Sequence, residues 1–131
     1  MLIKQLRYNN LGGISFYLHP CFFLLKYNRM VKFGLSNEVI ADICKVFKNH
    51  SNIDKVMIFG SRARGNFSAG SDIDLALIGN DISFNQILDI GIQIDDLDLL
   101  YKVDVIDYNK RKGTPIGDQI DKYGLLFYER E

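Results

Sequence analysis

The stretch from Val56 to Leu77, VMIFGSRARGNFSAGSDIDLAL, most limits what this chain can fold into. Val56-Met57-Ile58-Phe59 is a short apolar run closed by Gly60-Ser61, which reads as a buried strand ending in a corner. A turn rich in Gly, Asn and Ser runs from Gly65 to Ser71, and a second strand pattern follows from Asp72 to Ile78. On that strand Ile73, Leu75 and Leu77 point one way, while Asp72, Asp74 and Ala76 point the other. Two carboxylates therefore share a face, with Cα atoms roughly 6.6 Å apart. Placed so, they repel unless a proton or a cation comes between them. Asp oxygens are hard ligands suited to Mg²⁺, which keeps its other positions for water and phosphate oxygens. Gly60 lets a phosphate approach the backbone, and a short helix from Ser61 to Gly65 would turn free N–H groups toward an anion. The stretch predicts a triphosphate held between the Gly60-Ser61 corner and a metal-bearing carboxylate strand.

The flanking sequence supplies the layers around it. Ser36 is placed to cap a helix with Glu38 in its first turn, and Val39, Ile40, Ile43, Cys44 and Phe47 recur at helical spacing to about Lys48. His50, Ser51 and Asn52 end that helix, and His50 has no His or Cys at metal-ligand spacing. Phe84 to Leu100 fits both a strand alternation and a helical stripe; its length favours one helix, with Asp89, Asp95, Asp96 and Asp98 on the solvated face. Lys102 to Tyr108 reads as a third strand, with Asp104 on the face of Ile106 and Tyr108. A carboxylate in mid-strand is costly unless paired or metal-bound. Asp107 reads as a turn or surface residue, and Lys110-Arg111-Lys112 as a solvated loop. Thr114 caps a last helix with Pro115 at its first position, Gly124 stops it, and Leu125 to Tyr128 is an apolar tail that packs back.

Gly60-Ser61, ten intervening residues and then Asp72-Ile73-Asp74 resemble the signature of the DNA polymerase β-like nucleotidyltransferase superfamily. The wording GSRARG…SDIDLA is similar to its smallest members, the minimal nucleotidyltransferases (MNT), over roughly residues 36 to 128. The family draws a third Asp from a later strand, and Asp104 in Val103-Asp104-Val105-Ile106-Asp107 matches it. The resemblance implies an α/β (α+β) fold, a small mixed sheet with helices packed on it. It implies Mg²⁺-dependent transfer from ATP, with Asp72, Asp74 and Asp104 catalytic and holding two metal ions. Gly60 and Ser61 would hold the β/γ-phosphates, and Arg62 or Arg64 would neutralise phosphate charge, though plain surface arginines on a turn would look the same. It further implies an antitoxin that transfers AMP to a tyrosine hydroxyl of a partner HEPN-domain toxin. Alternatives are an aminoglycoside-type small-molecule adenylyltransferase, against which the lack of a substrate domain argues, and a partner that masks a toxin without turnover.

Bulk properties exclude more than they assign. At 131 residues, 47% apolar and 24% charged, the chain has the composition of one globular domain. A net charge of zero argues against non-specific nucleic-acid binding, where a basic surface supplies the affinity. Cys21 and Cys44 are too few for a disulfide framework or a zinc site, which leaves the cytoplasm as the default location. Residues 1–29 stand apart from the pattern. Their apolar stretch, Ile14 to Leu25, is interrupted by His19-Pro20 and is shorter than the about 20 residues of a membrane span. Lys4 and Arg7 precede it as in a secretory signal, but no small-x-small cleavage site follows. The expectation is an N-terminal extension outside the fold, with Met30 as the natural start and residues 30–131 as the nucleotidyltransferase domain. The competing reading is an arm whose aromatics dock on a partner.

Overall fold

The computed structural model describes residues 31–131, so the expectation for residues 1–29 lies outside them. Strand β1 (Val31–Lys32) and strand β2 (Leu35–Ser36) pair across Phe33 and Gly34, whose φ values of 57° and 73° are those of a two-residue hairpin turn. Helix α1 (Asn37–Lys48) starts where expected, with the Ser36 hydroxyl accepting from Val39 N at 3.2 Å. Its far end is closed by Arg130, whose guanidinium donates to the carbonyls of Phe47 at 3.0 Å, Ile53 at 2.9 Å and His50.

Strands β3 (Ile53–Phe59), β4 (Ile73–Gly79), β5 (Val103–Asp107) and β6 (Leu125–Glu129) form one mixed sheet in the order β5-β4-β3-β6. β3 runs antiparallel to β4 and β6, and β4 runs parallel to β5. A parallel pair needs a crossover, and helix α3 (Phe84–Asp95) provides it, capped by Ser83 on Gln86 N at 3.1 Å. Between β3 and β4 lies α2 (Ser61–Arg64), one helical turn, and after β5 come α4 (Tyr108–Arg111) and α5 (Pro115–Tyr123).

The core is built on one sheet face. Ile73, Leu75 and Leu77 of β4 meet Val56 and Ile58 of β3, Ile43 and Phe47 of α1, and Ile90 and Ile94 of α3 in one buried cluster. Strand alternation turns Asp74 to the opposite face. Cys44 sits at the edge of that core, its thiol 3.8 Å from Phe127 O and raised in pKa by burial.

Three expectations are corrected. The helix from Phe84 stops at Asp95 rather than Leu100, because the chain tightens after Ile94 and Asp98 takes a φ of 56°. The tail Leu125 to Tyr128 is a hydrogen-bonded strand, β6. Asp107 is not a surface residue: it is buried at 7% exposure and its Oδ1 accepts from Asn109 N at 3.0 Å, capping α4. Among the described residues no helix is long and apolar enough to cross a membrane.

Candidate active site

β4 and β5 enter the sheet side by side in parallel, and their register sets Asp74 directly opposite Asp104. Residues opposed in adjacent strands point to the same face, so both carboxylates emerge together on the side away from the apolar core. Asp74 is half-buried, Asp104 is 46% exposed in its side chain, and Asp72, just before β4, is exposed. Burial raises the Asp74 carboxyl pKa above its ordinary value, the charges of Asp104 and then Asp72 raise it further, and Lys102 opposes them. Lys102 Nζ lies 3.7 Å from Asp104 Oδ1. Sequence reasoning missed this cation, although Lys102 and Asp104 are two apart on one strand face and alternation alone would have joined them.

The Gly60 corner presses on the same group. Gly60 has φ 77° and ψ −153°, and a Cβ built there would stand 2.5 Å from Asp74 Oδ2. Only glycine fits. Ser61 follows as the first residue of α2, and Arg64 N and Gly65 N donate back to Gly60 O and Ser61 O at 3.1 and 2.9 Å. A contrast of two glycines follows. Gly60→Ala should remove nucleotidyl transfer, because its methyl group displaces the Asp74 carboxylate. Gly65→Ala, at φ 85° with nothing within 4 Å, should cost about 1 kcal/mol of backbone strain and leave the rate near wild type. Rates measured on both variants at matched folded fraction check it; equal losses would detach Gly60 from Asp74.

The arginines divide. Arg62 is 2% exposed and does not face a phosphate site, which corrects the expectation drawn for it. Its Nε and Nη2 donate to Ser71 O at 3.1 and 2.8 Å, Nη2 to Ala69 O at 3.2 Å, and Nη1 to Phe33 O and Gly34 O at 2.9 and 3.5 Å. The guanidinium also lies over the Phe67 and Tyr101 rings, 5.1 and 4.9 Å from their centroids. Arg64 remains exposed, with Nη1 donating to Gln119 Oε1 at 2.9 Å across to α5.

The site as placed is a carboxylate pair with a third carboxylate close enough to be felt. Among the described residues no three His, Cys, Asp or Glu side chains are gathered closely enough to enclose a metal ion, so the Asp72–Asp74–Asp104 set is not closed into one cage. The donor chemistry nevertheless fits a hard divalent cation, since positive charge relieves the repulsion that Asp104 and Asp72 exert on the Asp74 carboxylate.

The family model described as polymerase beta, nucleotidyltransferase, matches residues 41–131. The chain belongs to this family of nucleotidyltransferases. A candidate protein adenylyltransferase of Methanocaldococcus jannaschii is 40% identical over 43 residues, a match covering 33% of this chain and 42% of that protein. The match thus spans less than half of that relative's length. Two solved structures share the fold. A chain of a toxin–antitoxin pair with AMP-PNP superposes with a TM-score of 0.56 at 21% identity, covering 70% of this chain and 74% of that one. A chain from a complex of a tri-AMPylated Shewanella oneidensis HEPN toxin with MNT antitoxin gives 0.52 at 19% identity, covering 72% of each. The mixed four-stranded sheet with its helices is the polymerase β-like nucleotidyltransferase fold.

Proposed function

We propose that this chain transfers AMP from ATP to a hydroxyl, that of a tyrosine, on a partner HEPN-domain toxin, and acts as its antitoxin. The observation that carries the catalytic half is the in-register pairing of Asp74 with Asp104 on one sheet face, with Gly60 packed against Asp74. The partner half is supported by the fold shared with chains of toxin–antitoxin complexes and by the partial match to a candidate protein adenylyltransferase.

In this reading Asp72, Asp74 and Asp104 hold Mg²⁺, which when bound supplies positive charge against the phosphate oxygens at the reacting end. Asp104 takes the proton of the attacking hydroxyl. The new bond joins that oxygen to the α-phosphorus of ATP, the bond to the β-phosphate bridging oxygen breaks, and pyrophosphate leaves. Gly60 and Ser61 hold the β/γ-phosphates at the strand corner, and Arg64, exposed beside them, offers its remaining N–H groups to phosphate. Arg62 takes no part in that contact.

The test is mass spectrometry of the product of the adjacent gene, after incubation with this chain, ATP and Mg²⁺. Each transfer should add about 329 Da to a tyrosine of that protein. No adduct, together with toxin inhibition that survives Asp72→Ala and Asp74→Ala, would replace transfer with masking.

A further inference from the structure

The most exposed large apolar side chains on a regular element of this domain are on α3. Phe84, Leu88 and Ile92 are 65%, 50% and 59% exposed. Spaced by four, they lie along one line of the helix, a stripe about 12 Å long. The helix already satisfies the core through Ile90 and Ile94, which are 0% and 2% exposed. It therefore carries a second apolar line that, among the described residues, is left half or more exposed. Scattered surface apolar residues need no explanation, but an aligned set marks a contact surface.

The charges around the stripe say what would cover it. From Gly65 to Tyr101 every charged residue is an aspartate, in a chain whose overall charge is zero. Asp89 and Asp95 flank the stripe on the helix, and Asp81, Asp96 and Asp98 lie beyond its two ends, all of them exposed. Pairing of this face with the same face of a second copy would set these carboxylates against one another, as a two-fold contact requires. The complementary surface is apolar along its centre and carries Lys or Arg at its edges.

We infer that the Phe84–Leu88–Ile92 face of α3 is a docking surface for a partner protein that presents an apolar helix face or groove rimmed with basic side chains. The inference goes beyond the transfer reaction and does not depend on it. α3 packs on the Ile73–Leu75–Leu77 face of β4, and Asp74 leaves the opposite face. A protein held on α3 thus leaves the carboxylates open, which separates docking from chemistry.

The probe is a synthetic amphipathic helical peptide of about 18 residues with a Leu stripe flanked by Lys, compared with the same peptide carrying Glu for Lys. Hydrogen exchange and titration are followed on the full chain. The Lys peptide should bind and protect residues 84–92, the Glu peptide should not, and Leu88→Asp should weaken binding by about tenfold or more. Ile92→Ser, milder and equally exposed, serves where Leu88→Asp unfolds the chain. The inference is overturned if the Lys peptide does not bind, or if neither variant weakens it. Because the helix protects its own amides, the reading is the added protection over the free chain; added protection of residues 84–92 that grows with concentration of the chain alone would overturn the inference and assign the face to a second copy.

Discussion

Asp74→Asn should abolish nucleotidyl transfer and at the same time raise the melting temperature of the metal-free protein at neutral pH. The two effects have one cause. Asp74 is half-buried opposite Asp104, and its carboxyl pKa is raised by burial first and by the charges of Asp104 and Asp72 next. The folded state therefore binds the Asp74 proton more tightly than the unfolded chain, whose carboxyl titrates near the ordinary value of 3.8. Any stability from this group is fully present below that pH and is lost as pH rises through the higher folded value. At pH 7 the ionised carboxylate is a net cost to folding, and Asn, of nearly the same shape, removes it. The gain in melting temperature should shrink as pH falls and vanish below about 3.8. In the proposed reaction, loss of a carboxylate that would hold Mg²⁺ should lower the rate by a factor on the order of 10³. Mg²⁺ should raise the melting temperature of the wild type and leave the variant almost unmoved. Melting curves from pH 3.5 to 8, with and without Mg²⁺, beside single-turnover rates, check all of this. A variant that melts lower at pH 7 while keeping its rate would remove Asp74 from the site.

The parts of this arrangement that were legible in the sequence are those written in local periodicity. Asp74 and Leu75 could be assigned to opposite faces of β4 because alternation in a strand is strict, and Asp104 could be assigned to a strand for the same reason. The parallel direction of β4 and β5 follows once α3 is read as a crossover, but the register that sets Asp74 against Asp104 is fixed only by the folded sheet. What could not be read depends on groups distant along the chain or on unusual backbone. β3 begins at Ile53 rather than Val56, because Asp54 and Lys55 are exposed positions whose polarity hides the strand. The apolar pattern runs α3 on to Leu100 because an aspartate at φ 56° leaves no trace in it. β6 reads as a tail in the sequence, since Leu125, Leu126, Phe127 and Tyr128 do not alternate and the strand exists by pairing with β3. Arg62 and Arg64 were alike on paper. Only folding brings the carbonyls of residues 33, 34, 69 and 71 around the first and leaves the second at the surface.

Arg62 is for that reason the residue whose loss should most damage the fold. Its five N–H donors meet four backbone carbonyls from two separate loops, and its flat faces cover Phe67 and Tyr101. Among the described residues no carboxylate pairs with it, so carbonyl dipoles and ring faces carry the whole burden of a buried charge. Arg62→Met keeps the apolar stem but strands those carbonyls, at about 1–3 kcal/mol for each one left dry. With two unsatisfied the loss is about 3 kcal/mol or more, a large fraction of the about 5–15 kcal/mol that holds a domain together. Arg62→Lys should fare little better: an ammonium has three donors on one atom, cannot reach both loops, and loses the stacking. Both variants should therefore unfold at lower urea, with melting temperatures reduced by on the order of 10 °C or more. The loop that Arg62 grips ends at Ser71, next to Asp72, so in the folded fraction that remains transfer should fall while triphosphate binding at the Gly60 corner changes less. A phosphate-binding arginine would behave in the reverse way: Arg62→Lys would keep its urea midpoint and lose affinity for ATP. Urea titrations beside ATP binding on Arg62→Lys, with Arg64→Lys as the exposed control, separate the two.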